Sequence, residues 1–153
     1  MHLDFMGDPD LNAVRATVYS HFISSGTAPS VVWLSKKLGY DPAEVDSAIR
    51  QLAESHALVT APEANLIRMA NPFSGTPTAY RVESGGVSYW ANCAWDAFGI
   101  AAVLGRDTVA HARCAWTQEF LDLSVAAGVP VGDKGVIHLL VPPRNFWDNV
   151  AFT

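Results

Sequence analysis

Cys93 and Asp96 stand three residues apart in the stretch Trp90-Ala91-Asn92-Cys93-Ala94-Trp95-Asp96-Ala97-Phe98-Gly99-Ile100. On a helix that spacing puts both side chains on one face, one turn above the other. Sulfur can then act as a nucleophile or as a ligand for a soft metal, with a carboxyl beside it as a proton source. With Asn92 as the helix cap, Cys93 falls in the first turn, where unpaired backbone N–H groups and the helix dipole favour a thiolate. Trp90, Trp95 and Phe98 make the surroundings apolar; removal from water raises a carboxyl pKa, so Asp96 is expected to hold a proton it can deliver. The same spacing also fits a plainer arrangement, with Cys93 a small buried hydrophobe and Asp96 placed for the helix dipole.

The remaining candidates are thinner. Cys114 lies in the expected strand His111-Ala112-Arg113-Cys114-Ala115-Trp116 and reads as a buried structural cysteine. His111 and Cys114 are no zinc signature, because the chain has no C-x-x-C and no second His/Cys pair. It also has no Walker loop, G-x-G-x-x-G or G-x-S-x-G, and Gly85-Gly86 is too isolated to argue for phosphate. His138, in an apolar run, reads as a core histidine.

The elements that must position the pair follow from periodicity and punctuation. Leu11, Val14, Val18, Phe22 and Ile23 predict a first helix over 11–23 with Asp10 or Asn12 as cap. Ser30 caps a second helix carrying Val31, Leu34 and Leu38 and ended by Gly39. Asp41-Pro42-Ala43-Glu44 reads as a capping box opening a third helix that runs to about His56 and buries Val45, Ile49 and Leu52. Short β-like pieces follow at Leu58-Val59, Leu66–Met69 and Ala79–Val82, separated by Pro62, Asn71-Pro72 and Gly75-Thr76-Pro77. Three helices and a hairpin give the order of a winged helix. Glu83-Ser84-Gly85-Gly86 reads as a joint. Beyond it come a helix over 92–104, strands at 108–116, 120–125 and 136–141, turns over 128–135, and mixed turn and strand features over 146–152. The expected fold class is α+β: a winged-helix-like domain over 1–82, then a smaller mixed domain over 83–153 carrying the Cys93 helix.

Composition narrows the function classes. The 153 residues are 50% hydrophobic and 16% charged, which suits a folded chain of one domain or two small ones. Ten basic against fifteen acidic residues leave a net charge of −5, which opposes nucleic acid and anionic lipid. The third helix sets Asp41, Glu44, Asp46 and Glu54 against Arg50 alone, so it would repel phosphate, and Lys36-Lys37 reads as a solvated face. Two cysteines are too few for a disulfide scaffold, and the Met1 end has no basic region followed by an apolar one. The apolar run Ile100–Leu104 is too short to span a membrane. These features predict a cytoplasmic protein with reduced thiols, no membrane segment and no nucleic-acid partner.

The stretch Cys93-Ala94-Trp95-Asp96-Ala97-Phe98-Gly99-Ile100, continuing through Leu104-Gly105-Arg106, resembles the active-site helix of the alkylmercury (organomercurial) lyase family. Asn71-Pro72-Phe73-Ser74 with Pro77-Thr78, the Cys114 strand and Val141-Pro142-Pro143 resemble it as well, while Ala101 stands where the family often has proline. The resemblance implies protonolysis of a carbon–mercury bond, with Cys93 as the thiolate that takes mercury and Asp96 as the proton donor. It implies no resident cofactor; the organomercurial is the substrate, Hg(II) the product, and cellular thiols the co-substrate. Cys114 matches a family cysteine regarded as structural. The family's second catalytic cysteine would fall immediately after Phe152-Thr153, which leaves two readings: a chain that continues past Thr153, or a member lacking that thiol. The alternatives from other classes are a non-catalytic soft-metal-binding or sensing module binding through Cys93, and a winged-helix regulator, which the acidic third helix disfavours.

Overall fold

The computed structural model describes residues 9–61, 66–132 and 134–150, so the expectations touching Met1, Pro62 and Phe152-Thr153 lie outside the described residues. Helices α1 (Leu11–Ser25), α2 (Val31–Leu38) and α3 (Pro42–Glu54) begin where local chemistry places them. Asp10 accepts from the Asn12 N–H at 2.9 Å and Ser30 from the Trp33 N–H at 3.1 Å. Glu44 returns to the Asp41 N–H at 2.8 Å, closing the capping box. The expected apolar stripes are the buried ones: Val14, Val18, Phe22, Leu34, Val45, Ile49 and Leu52 all belong to the core. On the outer face of α3, Arg50 is held by Asp46 at 2.6 Å.

The strands are β1 (Val59–Thr60), β2 (Ile67–Ala70), β3 (Phe73–Ser74), β4 (Tyr80–Ser84), β5 (Val87–Ala91), β6 (Val109–Arg113) and β7 (Phe120–Asp122). They form one seven-stranded antiparallel sheet in the order β1-β2-β3-β5-β4-β6-β7. A small ladder of β8 (Val125–Ala126) and β9 (Val129–Pro130) is tied to the residue before β6 by the Thr108–Val125 bridge. Helix α4 (Ala94–Leu104) packs on β4 and β5. The fold is therefore α+β, with helices on a large antiparallel sheet.

Three expectations are corrected. The stretch 83–86 is no joint: Glu83 and Ser84 lie in β4, and Gly85-Gly86, with φ of 57° and 80°, are the two-residue turn between β4 and β5. Two positive φ values in a row are what a tight hairpin turn needs, and glycine supplies them without steric strain. Sheet pairing also runs across position 82, since β3 pairs with β5. The expected strand at 136–141 pairs with nothing among the described residues and is not one; Val136 is 93% exposed, and His138 is exposed rather than in the core. Cys114 follows β6 and opens a turn in which its carbonyl accepts from the Gln118 N–H at 2.9 Å, so it is half-buried in a turn, not buried in a strand.

Helices and sheet are joined through aromatic rings. Phe22 of α1 stacks on Phe73 of β3 with centroids 5.3 Å apart, and Phe73 tilts against Tyr89 of β5 at 5.7 Å. The Tyr89 hydroxyl donates to the Ile23 carbonyl at 2.8 Å. Gly26 ends α1 at φ 72°, and a Cβ there would overlap the Ser88 carbonyl of β5. Gly26→Ala is expected to destabilise the fold by about 2–3 kcal/mol, measured by chemical denaturation, because both the backbone conformation and the close approach forbid a side chain.

Candidate active site

The two residues singled out by spacing meet in the structure. Cys93 Sγ lies 3.6 Å from Asp96 Oδ2, with the thiol placed to donate. The expected cap is displaced by one residue: Cys93 itself, at φ −150° and ψ 179°, is the N-cap of α4, and its carbonyl accepts from the Ala97 N–H at 3.2 Å. Asp96 is thus the third residue of the helix, so thiol and carboxyl occupy the two positions that a capping box uses.

The surroundings of Cys93 work against a thiolate. Burial pushes the Cys93 thiol up, and the nearby Asp96 carboxyl adds to that, while the backbone N–H groups of Asp96 and Trp95 pull down without prevailing. Asp96 is shifted in the same direction. Burial raises its pKa, opposed by hydrogen bonds from Asn92 and Cys93. The apolar setting is not built as read from the sequence, because Trp95 is 66% exposed and points to water. On β4, the Tyr80 hydroxyl is pushed up by burial and by the charge of Cys93.

The approach to Cys93 is fixed by residues outside the helix. Thr78 Oγ1 donates to the Ala91 carbonyl at 2.6 Å, and the Tyr80 N–H donates to Thr78 Oγ1 at 3.1 Å. Asn92 Nδ2 donates to Asn71 Oδ1 at 3.0 Å and reaches the Pro72 and Phe73 carbonyls at 3.3 and 3.4 Å. Gly99 brings α4 down onto the same loop, since a Cβ there would lie 3.0 Å from Pro72 Cβ. The segments 71–74 and 77–78 therefore converge on residues 91–93. Punctuation reads Asn71-Pro72 as a break between strands and Asn92 as a cap, while 71–74 and 77–78 enter the sequence reading only through the family resemblance. The cluster of small polar residues around prolines was the available signal of a built loop.

Cys114 is a different kind of thiol. Its Sγ accepts from the Thr117 N–H at 3.4 Å, and hydrogen bonds from Thr117 and from the Trp116 backbone pull its pKa down. Two clefts lie elsewhere. One of about 690 Å³ is lined by the β4–β5 turn, Asp107, Thr108 and Val125; another of about 200 Å³ has Arg15, Tyr19, Asn71 and Trp147 in its wall, where Trp147 stacks on His56 at 4.0 Å. Among the described residues no group of three or more His, Cys, Asp or Glu is gathered as a metal site, and no helix is long and apolar enough to cross a membrane.

Comparison with known proteins follows this geometry. The family model described as "MerB: Alkylmercury lyase" matches residues 73–153, more than half of the chain. The solved structure "Crystal structure of the mercury-bound form of MerB2" is similar with a TM-score of 0.62 and 26% identity, over 79% of this chain. This chain spans 57% of the length of that one. No curated protein matches it.

Proposed function

Because the chain belongs to the alkylmercury lyase family, we propose that it cleaves carbon–mercury bonds by protonolysis, with Cys93 as the mercury-binding thiol and Asp96 as the proton donor. The observation that carries this reading is the 3.6 Å contact between Cys93 Sγ and Asp96 Oδ2, both partly withdrawn from water at the start of α4. Sulfur is the donor type that a soft metal prefers, and the leaving carbon needs an acid within reach.

The contact suggests where the proton travels. Cys93 holds its thiol proton against Asp96. When RHg⁺ binds, the S–H bond gives way to an S–Hg bond and the proton passes to the Asp96 carboxylate. Asp96 then delivers it to the carbon as the Hg–C bond breaks, and that bond's electron pair forms the new C–H bond. One RHg⁺ and one thiol give one RH and Cys93-bound Hg(II), so atoms and charge balance. Small external thiols would then remove Hg(II), and the compartment proposed is the reducing cytoplasm. The three helices with the β1–β2 pair are read as a winged-helix-like covering module.

The test is release of benzene from a phenylmercury salt in excess small thiol. Catalytic release supports the reading. Stoichiometric capture with no benzene would instead make the protein a mercury-binding member of the family, and neither capture nor release would overturn both.

A further inference from the structure

Strand β5 ends at Ala91, paired there with Tyr80 and Phe73, and α4 begins at Ala94, so Asn92 and Cys93 make the whole transition. A helix has one cap position, and these two residues compete for it. Asparagine is among the strongest cap residues and cysteine is not. Cys93 nevertheless holds the position, with no side-chain cap hydrogen bond of its own. The Asn92 amide shows why. Its nitrogen lies 3.0 Å from Asn71 Oδ1 and 3.3 and 3.4 Å from the Pro72 and Phe73 carbonyls. Backbone carbonyls only accept, so the nitrogen must face them. Its oxygen, the atom a capping asparagine offers to a helix, is buried with no hydrogen-bond partner among the described residues. Buried polar atoms rarely go unpaired, and one left so marks an orientation imposed by stronger demands. Here those demands are the acceptors of the 71–73 loop.

We infer that Asn92 is a positioning residue for the thiol: held by the 71–73 loop, it yields the cap position of α4 to Cys93, whose sulfur then lies at the mouth of the helix. The inference rests on the reading of Cys93 as the mercury-binding thiol. A cap side chain lies beside the N–H groups of the second and third helical residues, here Trp95 and Asp96, whereas a side chain inside the helix lies along its flank. Those two N–H groups are the ones that oppose the effect of burial on Cys93. They favour negative charge on sulfur as the S–H bond gives way to S–Hg. An Asn92 cap would offer its oxygen to the start of the helix in place of the sulfur. The 71–73 loop is in turn held by the Phe22–Phe73 stack and by the Tyr19 hydroxyl, which donates to the Asn71 carbonyl at 2.8 Å. The helical core thereby decides which residue opens α4.

A matched pair of variants tests this in the substrate-free protein. Asn92→Ser keeps a strong cap residue whose hydroxyl reaches less far than the amide, so it lets go of the loop; Asn92→Ala lets go of the loop equally and cannot cap. In Asn92→Ser the cap is expected to move to position 92, and the ¹³Cα and ¹³Cβ NMR shifts of Cys93 should pass from extended to helical values. In Asn92→Ala they should stay extended. Alkylation of Cys93 by iodoacetamide, read against Cys114 in the same protein, should be slower in Asn92→Ser than in Asn92→Ala by about two- to fivefold, the size of a helix-terminus effect on a charge. Loss of the loop contacts alone would affect both variants alike, so equal Cys93 shifts or equal alkylation rates in the two would overturn the inference. The wild type supplies a check that needs no variant: the Asn92 amide protons, bonded to the loop, should be protected from exchange with water, and unprotected protons would also overturn it. None of these readings requires turnover. If the wild-type protein releases no benzene, the proposed function fails while they still decide whether Asn92 yields the cap to Cys93.

Discussion

Cys93→Ser is expected to abolish benzene release from phenylmercury, by on the order of 10⁴-fold or more, as removal of a nucleophile from a cooperating set does. The hydroxyl is nearly the size of the thiol and can still cap α4, in fact better than cysteine does, so the fold should survive. What is lost is the match between a soft metal and a soft donor. The chain has a second thiol that makes the experiment sharper. Cys114 is half-buried in a turn, with a lowered pKa, and should take up arylmercury whatever happens at position 93. Titration should then give two equivalents bound in the wild type and one in Cys93→Ser, while benzene comes only from the protein that retains Cys93. Cys114→Ser should lose one equivalent and keep the benzene. Release that survives Cys93→Ser would place the chemistry elsewhere.

Asp96→Asn is the second large effect, and it should separate capture from cleavage. The amide keeps the size of the carboxyl and an acceptor for the thiol, so phenylmercury should still bind Cys93 stoichiometrically. Proton delivery by a positioned acid contributes about 10²–10⁴-fold, and benzene release should fall by that much. The variant is expected to accumulate as a phenylmercury adduct, seen by mass spectrometry as the added mass of a phenylmercury group at Cys93. An Asp96→Asn protein that releases benzene at the wild-type rate would show that another group supplies the proton. In that case the 3.6 Å contact would be a helix cap and nothing more.

How far the sequence could be read depended on whether the deciding interactions were local. The caps at Asp10, Ser30 and Asp41 were legible because each depends on residues within three positions of itself. So was the Cys93–Asp96 contact, because the side chains of a cap and of the third helical residue lie close whichever of Asn92 and Cys93 opens the helix. The cap of α4 was read one residue early. Asn is a strong capping residue, but the Asn92 side chain is taken by the carbonyls of 71–73, about twenty positions away, and Cys93 is left at the cap. Strand β3 has only Phe73 and Ser74, too few to show a period, and exists because β2 and β5 flank it. Residues 136–141 have strand-prone side chains but pair with no strand among the described residues, and β propensity without a neighbour does not make a strand. Glu83-Ser84-Gly85-Gly86 has the composition of a linker; only the pairing of β4 with β5 tells a tight turn from a flexible one.

The segment that matches the family begins at Phe73, and the ring of that residue rests on Phe22, fifty-one positions upstream. A fragment starting there would inherit one half of a stacked pair, together with a Tyr89 whose hydroxyl had lost the Ile23 carbonyl. Synthesised alone in a cell, it would show water two large apolar rings that the whole chain keeps covered. Such a fragment is a client for chaperones and a substrate for proteases rather than a portable catalyst. Grafting the Cys93 helix into a reporter or a bioremediation fusion would have to carry α1 with it.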